Sequence, residues 1–215
     1  VVRDFQEAYG LPVSGIMDEV SLSELNYQVN TNVVKIFFDP GHGGNDPGGQ
    51  GYGLKEKDVA LDIALKTANI LTQNYIGIDI EFSRKTDETI ELSNRATMAN
   101  DWGADYFMSF HNNAFDGTAH GFETFIYNGN VSGETKERQQ DIHTYIKNRI
   151  DVNDRGMKEA NFNVLRNTEM PALLLEYLFI DNYEENQLLR SESYLNHLAQ
   201  VTAEAVAQSF DLNRR

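Results

Sequence analysis

The chain contains no cysteine. That absence removes disulfide scaffolds, cysteine-based zinc sites, iron–sulfur clusters and cysteine nucleophiles together. It is neutral on redox compartment, since a protein without thiols can live on either side of a membrane. Any bound metal must therefore be held by His, Asp or Glu, and there are only five His to consider. Basic residues are scarce as well. Lys and Arg number 18 against 33 Asp and Glu, a net charge of −15. Binding to nucleic acid needs clustered cations at the phosphates, so that class is excluded. An anionic membrane surface is disfavoured on the same ground. No apolar run approaches the ~18 residues of a membrane span. The chain opens Val1-Val2-Arg3, with neither an initiator Met nor a signal peptide, and so reads as a piece of a longer protein.

What is present suits a globular enzyme. At about 150 residues per domain, 215 residues give one full domain and a short extra piece. Residues 1–30 are that piece. A short helix through Phe5 and Ala8 stops at Gly10, and Leu11 to Gly15 is turn chemistry. Asp18 is placed to cap a second short helix carrying Val20, Leu22 and Leu25. Two helices this short cannot bury a core alone. The segment reads as a linker or ordered tail, or as the end of a truncated module.

From residue 33 the pattern is α/β. Val33 to Phe38 is a buried strand that ends at Asp39-Pro40. A helix over 56–74 follows, then a strand from Ile76 to Phe82, a helix over 89–101 and a strand from Ala104 to Phe110. Gly121 to Tyr127 is the fourth strand, and a polar helix covers 133–150. Phe162 to Leu165 reads as a short fifth strand and Ala172 to Phe179 as a sixth, apolar except for Glu176. Leu195, Leu198, Ala199, Thr202 and Val206 mark a closing helix. The expectation for 31–215 is one α/β domain: a mostly parallel, twisted sheet of about six strands with helices on both faces. Its functional crevice should lie at the carboxyl ends of the strands.

Chemistry-bearing residues gather at that edge. His42 follows the first strand in Asp39-Pro40-Gly41-His42-Gly43-Gly44, and His111 follows the third in Ser109-Phe110-His111-Asn112-Asn113. Glu56 begins the first helix, and Glu176 lies near the end of the sixth strand. Two imidazoles and one carboxylate form a three-ligand set of the catalytic zinc type, which leaves a fourth position for water. Glu176 is then the candidate proton carrier. Each residue also has a plainer reading. A histidine after a strand is commonly a hydrogen-bonding loop residue, and Glu56 is a favourable acid in a first helical turn. Glu176 could pair with an arginine. His143 and His197 fall on helices with no partner at metal-binding spacing, and His120 lies in a loop; none is assigned a role, though His120 is only nine residues beyond His111.

The block from 36 to 210 resembles the zinc-dependent N-acetylmuramoyl-L-alanine amidases that open on Asp-Pro-Gly-His-Gly. The motifs occur in order: Asp39 to Gly44 with Asp46-Pro47-Gly48, Gly53-Leu54-Lys55-Glu56-Lys57-Asp58, Ser83-Arg84 and Leu92-Ser93-Asn94-Arg95. Ser109 to Ala114, Gly121-Phe122-Glu123, Arg155 to Lys158, and Glu176 with Phe179 to Asn182 complete them. The resemblance implies one zinc ion held by His42, Glu56 and His111, with Glu176 catalytic. It implies hydrolysis of the amide between N-acetylmuramic acid and L-alanine in peptidoglycan, by a monomer secreted to the bacterial wall or delivered there by phage. Asn113 and Glu123 are carried as substrate-binding candidates, and Glu123 also as a second-choice acid or base. Asn113 could equally hold its own loop, and Glu123 an ion pair. Arg84, Arg95, Arg155 and Arg166 could meet stem-peptide carboxylates, though pairing with the chain's own acids is the commoner outcome. One departure stands out: the family usually has glycine where this chain has Leu178, which could narrow the cleft or shift the strand end. The short spacing from His111 to His120 leaves no room for a blocking helix, so an open site is expected, which a tail contact from residues 1–30 could still cover. Residues 1–30 in turn resemble the C-terminal part of the peptidoglycan-binding repeat, through Phe5-Gln6, Gly10-Leu11-Pro12, Gly15 and Leu22. The alternatives are a non-catalytic wall-binding module of the same fold, a zinc peptidase of the stem peptide, and a polysaccharide deacetylase.

Overall fold

The computed structural model describes the backbone of residues 1–31 and 33–215, and the side chains of 1–25 and 33–215. The chain divides into two compact units, Val1–Val33 and Val34–Arg215. The first holds α1 (Val2–Ala8) and α2 (Glu19–Thr31). Asp18 caps α2 as expected, its Oδ1 accepting the Ser21 amide at 2.9 Å. The centre of this unit is polar. Gln6 is fully buried, and its Nε2 donates to Ile16 O at 2.9 Å and to Ser21 Oγ at 2.8 Å. Its Oε1 accepts from Gly15 N at 2.8 Å. One side-chain amide thus satisfies the turn that a hydrophobic core would otherwise have to hold. Ile16, Val20 and Leu22 remain exposed.

The second unit runs β1 (Val34–Pro40), β2 (Gln50–Gly51), β3 (Leu54–Lys55), α3 (Glu56–Asn74), β4 (Ile78–Phe82), α4 (Leu92–Trp102), β5 (Tyr106–Asn113) and β6 (Phe122–Tyr127). It continues with α5 (Gly133–Lys147), β7 (Asp154–Ala160), α6 (Asn163–Arg166), β8 (Ala172–Phe179), α7 (Tyr183–Leu189) and α8 (Glu192–Ser209). The six-stranded sheet has the order β4-β1-β5-β8-β6-β7. The first four strands are parallel, while β6 is antiparallel to β8 and β7 runs parallel to β6. Alternation along β1 sends Ile36 and Phe38 to one face and Phe37 to the other. The first face is covered by α3, α5 and α8 through Val59, Ile63, Ile142, Leu198 and Val206. The second is covered by α4 and α6 through Ala99, Val164 and Leu165. Among the described residues, no helix is long and apolar enough to cross a membrane.

One expected element is corrected. Phe162 to Leu165 is not a strand. Asn163–Arg166 is a helical turn, and its buried Val164 and Leu165 pack on the α4 face of the sheet. The fifth strand is β7, with the sequence DRGMKEA. It lies at the sheet edge and pairs only with β6, so its faces are largely solvated. A strand in that position needs no apolar run. The apolar cluster at 162–165 belongs to the helix that caps the sheet instead. The short β2–β3 hairpin and α7 were likewise not expected.

Candidate metal centre

The site is built on the loop after β1. Asp39, the penultimate residue of β1, is buried, and it anchors three neighbouring elements. Its Oδ1 accepts from Ser83 Oγ at 2.7 Å and from Arg95 Nη1 at 2.7 Å, and its Oδ2 accepts from Ser109 Oγ at 2.8 Å. Burial opposes its charge, but the Arg95 guanidinium and Ser83 outweigh burial and hold its carboxyl below the usual carboxylate range. Arg95 also donates to Pro40 O at 2.8 Å and to His42 O at 2.5 Å. Arg84 donates to Pro40 O at 3.0 Å, and to Gly41 O and Lys57 O at 2.7 Å each. Two buried guanidiniums therefore fix three consecutive carbonyls. Both are buried and their hydrogen bonds go to this loop and its neighbours, so both serve the loop. The loop needs this restraint, because His42 sits at φ 59°, a left-handed conformation that is strained for a non-glycine residue.

Held this way, His42 meets Glu56 and His111. His42 Nε2 lies 3.1 Å from Glu56 Oε2, and His111 Nδ1 lies 2.8 Å from Glu56 Oε1. The two rings are nearly perpendicular, with centroids 5.0 Å apart. Ligand atoms of all three residues fall within 4.8 Å of one another. Glu56 is buried at the first position of α3 and also accepts from Gly49 N at 2.7 Å and Asn112 N at 3.1 Å. Burial would raise its pKa, but the hydrogen bonds and charges of His111 and His42 drive it far below the usual range. On His42 burial again works against charge, and the contacts with Glu56 and Asp46 overcome it and raise the ring above an ordinary histidine. The far side of the ring is held by Asp46, whose Oδ2 lies 2.8 Å from Nδ1. The sequence reading missed Asp46, although its four-residue spacing from His42 in the opening motif was visible. Two glycines are needed for close approach. A Cβ on Gly41 would collide with the His111 ring, and one on Gly48 would lie 2.5 Å from Glu56 Oε2.

Glu176 arrives from β8, directly beside His111 in the sheet register and opposite Glu123 on β6. Its Oε2 is shielded from solvent and has no hydrogen-bond partner. Burial, then the charges of Glu56 and Glu123, push its pKa well above the ordinary glutamate value. Just beyond it the strand bulges. The register passes from His111–Glu176 to Asn113–Phe179, so three residues of β8 span two of β5. Leu178 lies in this bulge at φ 59° with its side chain wholly in the core. It shifts the strand end and does not narrow the cleft.

Glu123 is buried and strongly partnered. Its Oε2 accepts from Arg155 Nε at 2.8 Å and from the Lys158 ammonium, and its Oε1 accepts from Asn113 Nδ2 at 3.0 Å. Burial would raise its pKa, but Lys158, Arg155 and Asn113 outweigh burial and hold it below the usual range. Arg166 is bound to Asn161. His143 is buried between Thr124 and Asp154, His197 contacts Arg149 O, and exposed His120 contacts Thr118 O. None of these three joins the cluster.

The histidines remain accessible, with side chains 24% and 18% exposed for His42 and His111. No helix stands between β5 and β6 among the described residues. A cleft of about 790 Å³ leads away from the cluster over the α4 and α6 face, past Leu92, Phe162 and Leu174.

Fold and site together define an α/β enzyme whose carboxyl edge carries a His2Glu set able to hold a divalent metal, with a shielded carboxyl beside it. Comparison with known proteins narrows this. Residues 36–208 match the family model for N-acetylmuramoyl-L-alanine amidase, and the chain belongs to that family. It is similar to a sporulation-specific N-acetylmuramoyl-L-alanine amidase of Bacillus subtilis (strain 168), 45% identical over 182 residues, which are 85% of this chain and 70% of that protein. An endolysin of Bacillus phage SPP1 is 42% identical over 184 residues, covering 84% and 67% respectively. The crystal structure of an N-acetylmuramoyl-L-alanine amidase from Clostridium difficile 630 superposes with a TM-score of 0.80 at 38% identity, over 84% of this chain and 98% of that one. The protein is accordingly a hydrolase of peptidoglycan.

Proposed function

We propose that His42, Glu56 and His111 hold one zinc ion and that Glu176 moves the protons of the reaction. The bond cut is the amide between the lactyl group of N-acetylmuramic acid and the L-alanine of the stem peptide. The observation that carries this reading is the cluster itself: two imidazoles turned onto one carboxylate, with the unpartnered Oε2 of Glu176 on the neighbouring strand. The donor set suits zinc, whose catalytic sites commonly use three His or carboxylate ligands. When bound, the ion supplies the Lewis acidity that activates water near neutral pH and stabilises negative charge on the attacked carbonyl oxygen.

The remaining work falls to the chain. Asp46 fixes the tautomer and tilt of His42. Asp39, Arg84 and Arg95 hold the loop that carries it. Glu176 takes a proton from the attacking water and returns it to the leaving L-alanine nitrogen. A carboxyl raised above the ordinary glutamate value by burial and by the charges of Glu56 and Glu123 is suited to proton transfer. Glu123 and Asn113 are bonded to each other at the cleft edge. In this reading Glu123 fixes the Asn113 side chain, which leaves Asn113 to steer the peptide past Glu176. The first unit is proposed as the remnant of a peptidoglycan-binding repeat, with Gln6 as the hub of its turn. The enzyme acts as a monomer outside the cell, at the wall.

The test is Glu176→Ala in zinc-loaded protein. Metal analysis should find one zinc per chain, and turnover on purified peptidoglycan should be lost. Cleavage at the wild-type rate would refute the role of Glu176. Mass spectrometry of the wild-type digest should show new L-alanine amino termini and intact glycan strands. Shortened stem peptides, deacetylated sugars, or no product at all would point to the peptidase, the deacetylase or the binding module instead. Chelation should abolish the activity and added zinc restore it.

A further inference from the structure

Three large aromatic rings stand exposed at the carboxyl edge, on the β2–β3 turn, on the segment after β5 and at the first residue of α7. Tyr52 is 57% exposed, Phe115 79% and Tyr183 60%. The rings of Tyr52 and Tyr183 meet edge to face, with centroids 5.4 Å apart. Nothing in the metal cluster requires them.

The segments that carry them are pinned together. Asn186 of α7 is fully buried, and its Nδ2 donates to Gly51 O at 2.9 Å and to Ile180 O at 2.7 Å. The Arg190 guanidinium donates to Tyr52 O. Asp181 Oδ2 accepts from Phe115 N at 2.9 Å and Gly117 N at 3.0 Å. The rings are therefore held on a stiff base, which lowers the entropy lost when something binds them.

Tyr52 is also an expensive choice for its position. The pairs Gln50–Lys55 and Gly51–Leu54 leave Tyr52-Gly53 as a two-residue turn, with φ of 47° and 91°. Such turns favour Asn, Asp or Gly. A bulky ring at positive φ is a strained exception, and strain of this kind gathers at working sites.

The rings lie close to the chemistry. Four peptide units separate Tyr52 from Glu56, a Cα distance of at most about 15 Å. Phe115 is the fourth residue after His111. Their direction also matters. The cleft leaves the cluster over the face of α4 and α6, whereas the hairpin and α7 lead into α3 and α8 on the other face. A substrate crossing the cluster thus has a cleft on one side and an aromatic shelf on the other.

We propose that Tyr52, Tyr183 and Phe115 form a saccharide platform that stacks against an N-acetylated sugar ring of the glycan strand, beside the muramic acid at the scissile bond. A pyranose presents an apolar face of C–H groups, which fits the negative face of an aromatic ring. An uncharged sugar is also compatible with a protein of net charge −15. The cleft then takes the peptide and the platform the glycan. The inference rests on a glycan-linked amide as substrate, but not on the metal or on Glu176.

The test uses the full chain with its metal removed, titrated calorimetrically with soluble peptide-free glycan strands of peptidoglycan. The variant is Tyr52→Asn with Tyr183→Ala, since Asn suits the turn and keeps the hairpin. Loss of two stacking rings should weaken binding by about tenfold. Tyr52→Phe with Tyr183→Phe should bind as wild type, because the ring and not the hydroxyl makes the contact. In the zinc-loaded enzyme, the Asn/Ala variant should lose a similar factor in kcat/KM on polymeric peptidoglycan and none on a single N-acetylmuramoyl-peptide. Unchanged glycan binding, or an equal loss on both substrates, would overturn the platform. So would wild-type self-association that disappears in the variant, since that would assign the rings to a contact between copies. Should the wild type cleave neither substrate, the cleavage reading fails while the titration still decides the platform.

Discussion

Replacing Glu176 with Gln should make the metal-free protein more stable, and the gain should grow with pH. The structure gives both sign and size. Glu176 lies within an otherwise apolar strand, its Oε2 has no partner, and Glu56 and Glu123 add like charge. Its folded pKa therefore lies above the unfolded value of about 4.3. Between those two values the unfolded chain binds fewer protons than the folded one, so stability falls as pH rises through that window. Gln has no proton to lose and escapes this fall. Gln leaves an unpartnered amide in the same place, so the gain is that of the charge alone, about 1.4 kcal/mol for each pH unit crossed between the two pKa values. Residue 176 as a whole is only partly buried, so solvent screens the charge and the expected gain is about 1 kcal/mol.

For a chain of this size, that amounts to roughly 2–4 °C in melting temperature. The assay is thermal unfolding of both proteins in chelator, from pH 4 to pH 8. Chelator is essential, because zinc bound to the folded state would add its own stabilisation. The two proteins should melt together near pH 4 and separate towards neutrality, with the variant higher. A variant that melts lower at pH 7.5, or by a margin constant with pH, would falsify the account of Glu176 as an unpartnered carboxyl. The direction also bears on function, since a residue kept where a neutral one would be more stable is retained for chemistry.

Asp46→Ala should weaken zinc binding by about 10–100-fold in a competition titration with a chelator, because His42 loses the carboxylate that orients it; unchanged affinity would show that Asp46 does not act through His42. At Leu178 the usual ranking of small residues should invert: Leu178→Gly should melt above Leu178→Ala by the equivalent of about 1 kcal/mol, since φ is positive there. The same pair at Leu175, a fully buried strand residue outside the positive-φ set, should rank Ala above Gly, and an identical order at both positions would contradict the strained bulge.

Much of the fold could be read from the letters because burial writes itself into sequence. β8 is apolar on both faces, and its bounds, Ala172–Phe179, are those expected. α3 carries Val59, Ile63 and Leu71 at helical spacing, and it too spans the expected residues. The edge strand β7 left no such trace. Its sequence alternates polar residues over a solvated edge, while the apolar group two residues later belonged to a helical turn. Of the site, His42, Glu56, His111 and Glu176 were legible because strand ends and a helix start place them at one edge. Asp46, Arg84 and Arg95 were not legible as the scaffold of the loop, because a residue letter does not say whether its charge faces solvent, substrate or a carbonyl.

Backbone strain is the part of the design that the letters hide most completely. Among the described residues, four non-glycine positions have positive φ: His42, Tyr52, Leu178 and Asp211. The first three surround the carboxyl edge. His42 belongs to the cluster with Glu56 and His111, Leu178 makes the bulge immediately after Glu176, and Tyr52 forms the tip of the hairpin that leads into Glu56. Each is opposed by a strong local restraint: Arg95 on the His42 carbonyl, the core around Leu178, and Arg190 on the Tyr52 carbonyl. Three strained residues cost on the order of 3–9 kcal/mol together, comparable with the whole stability of a domain. A fold selected for stability alone would place glycine or asparagine at all three. Their clustering around one edge is therefore an argument about function that stands apart from any motif, and it includes Tyr52, which belongs to no part of the metal centre.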